Sequence, residues 1–144
     1  MEKARVWSEP PPMETGAPLP ATRIIGDRLL VAYVCNNLEF PGWNSGAQAD
    51  HPGFSVYSAV LEFRGVSSFS LGPPNDERLF EHPLYGAGLE FYQFHEVESV
   101  AGQRPSRWVV TFHDETLEVV ADSAKVLHAR IDGEDTHGIL DALA

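Results

Sequence analysis

The sequence predicts a single all-β domain: an antiparallel sandwich or partly open barrel of about seven strands with a short C-terminal helix. Two observations point there. Several segments alternate apolar and polar residues with the period of two that belongs to strands. Turn-forming residues punctuate them at intervals of roughly ten, which is the spacing of short strands. A third observation, that several segments are apolar on both faces, favours two stacked layers over one sheet.

Residues 1–21 carry five of the eleven prolines (Pro10, Pro11, Pro12, Pro18 and Pro20) and are expected to form an extended or disordered arm. Proline fixes φ and lacks an amide donor, so this arm cannot enter a sheet interior. Trp7 is its one candidate anchor. The remainder, 22–144, is expected to be one β domain.

Gly26-Asp27 is a turn, and Arg28 to Cys35 reads as a strand buried on both sides. Residues 36–53 form an aperiodic loop in which Trp43 is expected to plug the core. Phe54 to Leu71 is strand again, with Arg64-Gly65 either a tight turn or a bulge. Gly72 to Gly88 is a second long loop, where Asn75 can cap a helical turn over Asp76 to Phe80. Leu89 to Val100 reads as a strand.

The best-specified element is the hairpin Arg107 to Ala121, with Asp114-Glu115 at its tip. That turn pairs His113 with Thr116, Phe112 with Leu117, Val110 with Val119 and Trp108 with Ala121. Opposed residues share a face, so both apolar rows land on one side. Ala124 to Ile131 alternates as a last strand. Asp135 or Thr136 can cap a terminal helix that folds back through Ile139, Leu140 and Leu143.

At 144 residues the chain can bury about two-thirds of its unfolded surface without covalent staples. Ten basic against twenty-one acidic residues give a formal charge of −11, which argues against nucleic acid or an anionic membrane as partner. The start of the chain leads into prolines rather than an apolar leader, and no apolar run reaches the ~20 residues of a membrane span. A soluble, cytoplasmic protein is expected. The single cysteine, Cys35, reads as a small core residue.

No motif assigns a chemistry. The six histidines (His51, His82, His95, His113, His128 and His137) show none of the local spacings of a metal site, and no metal or cofactor is expected. No nucleophile elbow or phosphate-binding glycine pattern occurs. Two places gather polar and titratable groups. One is the loop holding Asn75, Asp76, Glu77, Arg78, His82 and Tyr85; the other is the second hairpin face, with Thr111, His113, Thr116 and Glu118. Both also suit structural roles, the loop as a self-packed layer and the hairpin as a half-wet sheet face.

The segments Pro74-Asn-Asp-Glu77, His82-Pro-Leu-Tyr85, Gly88-Leu89 followed by Tyr92, and Thr111-Phe-His-Asp-x-Thr-x-Glu118 resemble a signature of small uncharacterised bacterial proteins of this length. The resemblance spans roughly residues 56 to 121. It implies a bacterial source and marks loop and hairpin tip as a shared feature, either a site or a lock in which Asn75 or Asp76 bonds near the hairpin turn. No activity or catalytic residue comes with it.

The favoured expectation is a non-enzymatic interaction module that binds a basic protein or a second copy of itself, for example an immunity-type inhibitor of a basic toxin. The rival is a small-ligand binder or hydrolase-like enzyme at the 72–88 loop. There His82 or His113 would move the proton, Asp76 or Glu118 would orient it, and Asn75, Arg78 and Tyr85 would complete a binding surface. That rival requires His82, His113 and a carboxylate to converge in one pocket.

Overall fold

The computed structural model describes residues 2–14, 20–35, 56–98 and 106–143. The segment 36–53, expected as a loop with Trp43 as its plug, lies with His51 outside the described residues. The described residues form nine strands in two antiparallel sheets that do not close into a barrel. They are β1 Lys3–Val6, β2 Ala21–Ile25, β3 Arg28–Val34, β4 Tyr57–Arg64, β5 Ser68–Gly72, β6 Phe94–Glu98, β7 Ser106–Thr111, β8 Thr116–Ala121 and β9 Ser123–Asp132. A 3-10 segment covers Asp76–Glu81, and helix α1 covers Thr136–Leu143. One sheet runs β1-β6-β7-β8-β5 and the other β2-β3-β4-β9.

The period of two explains the layering. Leu29, Val31 and Tyr33 of β3, with Ala59, Leu61 and Phe63 of β4, meet Trp108, Val110, Leu117 and Val119 of the hairpin in the space between the sheets. The intervening residues face outward. Leu30, Ala32 and Val60 are nevertheless fully buried, because α1 lays Leu140 over them. Val97 and Val109 on the other sheet are covered by Leu79, Leu84 and Leu89 of the long loop. The expected two-sided burial of β3 therefore holds, and a cover on each outer face is its cause. No helix among the described residues is long and apolar enough to cross a membrane.

Several expectations need correction. Part of the N-terminal arm is a strand: β1 pairs with β6 at the sheet edge, ahead of the prolines that begin at Pro10. Trp7 follows it into the core, its ring 6.3 Å from that of Phe63 and 6.5 Å from that of Trp108. Further along, Tyr33 donates to the Pro11 carbonyl at 2.7 Å. Cys35 is buried beside Met13, and burial pushes its thiol up to about 12, so it stays protonated and inert.

Arg64-Gly65 is neither a hairpin turn nor a bulge. The chain bends there from one sheet to the other, and the β8–β9 joint at Asp122 bends beside it. Gly65 has φ +66, and a Cβ at this position would run into the Asp122 side chain. The strand expected over 89–100 is shorter within the described residues: β6 starts at Phe94, after a turn in which Tyr92 takes φ 52.

The hairpin register also differs. Trp108 pairs with Val119, Val110 with Leu117 and Thr111 with Thr116, so the loop spans Phe112 to Glu115. The shift is two residues, which leaves every side chain on its expected face. Within α1, Asp135 supplies the cap by accepting from the Gly138 amide at 3.0 Å.

Candidate functional site

The polar residues singled out in the sequence sit on the cover of the five-stranded sheet, at the hairpin tip beneath its edge or, for Glu118, within β8. Asn75 begins this layer. Its side-chain oxygen accepts from the Arg78 amide at 3.1 Å and starts the 3-10 turn, as its sequence position leads one to expect. Arg78 turns outward and is bonded by Glu81 three residues later. Leu79 then faces the sheet while Phe80 faces solvent, and Leu84 and Tyr85 repeat that division.

At the hairpin tip, two side chains meet on one carboxylate oxygen of a third. Asp76 Oδ2 accepts from the Tyr92 hydroxyl at 2.5 Å and lies 3.1 Å from His113 Nδ1. The Tyr92 bond, then the His113 charge, hold the Asp76 carboxyl below the usual carboxylate range. His113 is shifted the other way, upward, by its backbone hydrogen bond and by Asp76 and Asp114. Asp76 also donates its amide to the His113 carbonyl at 2.9 Å, and Thr116 Oγ1 donates to Pro74 O at 2.9 Å. These bonds tie the loop to the hairpin. Tyr92, left-handed for a residue with a Cβ, is held in that conformation partly by its hydroxyl.

His82 belongs to a different cluster. It is 5% exposed, and its Nδ1 accepts from the Leu84 amide at 3.0 Å. The neutral ring therefore carries its proton on Nε2, which lies 3.4 Å from Glu118 Oε2 without a well-formed hydrogen bond. Arg107 Nε stands 3.8 Å from the other oxygen of Glu118. His82 and His113 thus answer to different carboxylates, Glu118 and Asp76. A cavity of about 310 Å³ near the hairpin tip is lined by Pro73, Pro74, Asn75, Arg78, Asp114 and Glu115, and neither histidine is among its lining residues. The structure brings Asp76 and His113 together, and His82 and Glu118 together, but does not join the two pairs. Tyr85 is half-exposed.

Two residues of consequence were not singled out from sequence. His95 is fully buried on β6. Its Nδ1 lies 3.0 Å from the Val109 carbonyl and its Nε2 accepts from the Glu90 amide at 3.0 Å, which fixes a neutral tautomer. Burial pushes its pKa below the usual histidine range. The available signal was its position inside an apolar strand, which gives burial but not partners. The second is Glu62, 1% exposed on the other sheet and bonded by Arg28 and Arg64, with Lys125 Nζ at 3.6 Å. Burial alone would raise its carboxyl; the two guanidinium groups outweigh burial and hold it at about 2.

No group of three or more His, Cys, Asp or Glu suited to a metal ion occurs among the described residues. In comparison with known proteins, the chain matches no family model, no curated protein and no solved structure at a significant level.

Proposed function

We propose that this protein is a non-enzymatic interaction module whose loop layer, residues 72–92, docks a basic protein partner in the cytoplasm. The observation that supports the reading most is the exposure of three aromatic side chains on that layer: Phe80 at 61%, Tyr85 at 49% and Phe91 at 49%. Exposed aromatics on an ordered, well-anchored layer supply contact area at low entropic cost, and such residues dominate interface energetics. Glu77, Glu81 and Glu90 lie exposed on the same layer, and the formal charge of −11 would steer a basic partner toward it. The titratable candidates His82, Asp76 and His113 hold the layer in place, a role that needs no substrate. An inhibitor of a basic toxin is one partner class of this kind.

The test is capture of a partner from the native source on immobilised protein, followed by cross-linking and a salt series on the purified pair. The Phe80→Ser/Phe91→Ser variant should lose most of the affinity, and binding should weaken steeply with ionic strength. Unchanged binding by that variant, or binding indifferent to salt, would overturn the reading.

The Asp76–His113 contact favours a second reading, a small-ligand binder or hydrolase-like enzyme with its site at the hairpin tip. Any hydrolytic activity found in the purified protein should then vanish in His113→Ala, while partner capture persists.

A further inference from the structure

On the opposite face of the sandwich, the joint between β9 and α1 leaves an open cavity of about 660 Å³. Its apolar wall is built from Ile131, Ile139 and Leu143, which are half-buried and pack onto the Leu140 cluster beneath. Its rim is built from Asp132, Glu134 and Asp135, all exposed. No basic side chain is among its described lining residues. Asp132 reaches Arg130 only at 3.5 Å with its side chain 87% exposed, so that contact neutralises little of the rim. Asp135 keeps its carboxylate over the helix start through the Gly138 amide. Glycine at 138 permits this, because a Cβ there would strike the Asp135 carboxylate.

We propose that this cavity binds a small organic cation carrying a hydrocarbon tail, an amphiphilic amine. The volume suits a single ligand of that size. The wall rewards burial of hydrocarbon in proportion to its area, and the charged side chains at the mouth are all carboxylates. An ammonium group satisfies that mouth, whereas a fatty carboxylate meets three like charges. The site is separate from the loop layer and stands or falls without the partner proposed above.

The experiment is an amide NMR titration of the full chain with octylammonium, octanol and octanoate, each below its micelle concentration. Octylammonium should shift resonances within residues 131–143, octanol should do so more weakly, and octanoate should not. Asp132→Asn/Glu134→Gln should weaken octylammonium about five-fold and leave octanol unchanged. Ile139→Ser should weaken both, with helix content checked by circular dichroism. Octanoate binding as well as octylammonium would overturn the proposal, as would shifts spread over the loop layer. Shifts in residues 131–143 that follow protein concentration without ligand would also overturn it, by assigning the cavity to a second copy of the chain.

Discussion

The two outer faces of the sandwich solve one problem with different chemistry. Each exposes apolar residues that need a cover, and each receives one: the loop layer over Val97 and Val109, and α1 over Leu30, Ala32 and Val60. The helix satisfies its own backbone and brings mainly Leu140. The loop satisfies its own only in part, and two of its amides go to imidazole nitrogens, Leu84 to His82 and Glu90 to His95. Protonating His95, whose pKa burial already lowers, turns that acceptor into a donor facing a donor. The polar cluster on the helix side is instead Glu62 with two arginines, which stays ionised far into acid. The loop cover should therefore loosen in acid at a pH where the Glu62 cluster on the other face is still intact.

The largest effects should come from the apolar contacts common to both faces. Leu79→Ala and Leu140→Ala should each cost about 3 kcal/mol in urea unfolding. A much smaller loss for Leu79 would mean that the loop layer is not docked in solution. Next is Gly88→Ala. Gly88 has φ +103, and a Cβ would collide with the Ala4 carbonyl, which packs there because the Ala4 amide bonds Ala87 O at 2.8 Å. A cost of about 2 kcal/mol is expected, with faster exchange at the Ala4 amide.

His95→Leu should cost a similar or slightly smaller amount, about 2 kcal/mol, by orphaning the Glu90 amide. Its pH signature is the sharper measurement. The His95 pKa is lowered on folding, so its contribution is complete above the usual value of about 6.5 and is lost as pH falls through the folded value. Exchange protection of the Glu90 amide should drop as pH falls below about 6.5, while amides of β3 and β4 keep theirs. The Glu62 contribution is also present above its unfolded value, near 4.5, and fades only as pH falls toward about 2. Simultaneous loss on both faces would erase the distinction.

The smallest effect is that of His113, whose side chain is 47% exposed. Its pKa is raised, so its contribution is present below about 6.5 and lost as pH rises through the folded value. His113→Ala should flatten the shallow decline of melting temperature on the alkaline side. A steep decline that survives the substitution would assign it to another group.

Much of the fold was legible because its signals are local. Asn75 and Asp135 cap the turns they precede, since a short acceptor side chain meets free amides within three residues. The hairpin placed Trp108 and Val110 inward even though its register was off by two, because period-two alternation encodes the face and not the partner. The candidate site was legible only as a list. Asp76 and His113 were both in view, but not that Tyr92 would complete their cluster or that His82 would turn to Glu118.

The chain by itself determined most of the strands, the faces they bury, the caps and the charge, since each depends on neighbours a few residues apart; β1 and the start of β6 escaped it. Tertiary structure decided which sheet each strand joins, where Gly65 and Asp122 bend together, and how Glu62 and His95 are paired. Those outcomes depend on groups that meet only after long loops close, such as Arg28 with Glu62 across thirty-four residues. Nothing in the local pattern records such a meeting, because a buried charge and an exposed one are spelled with the same residue.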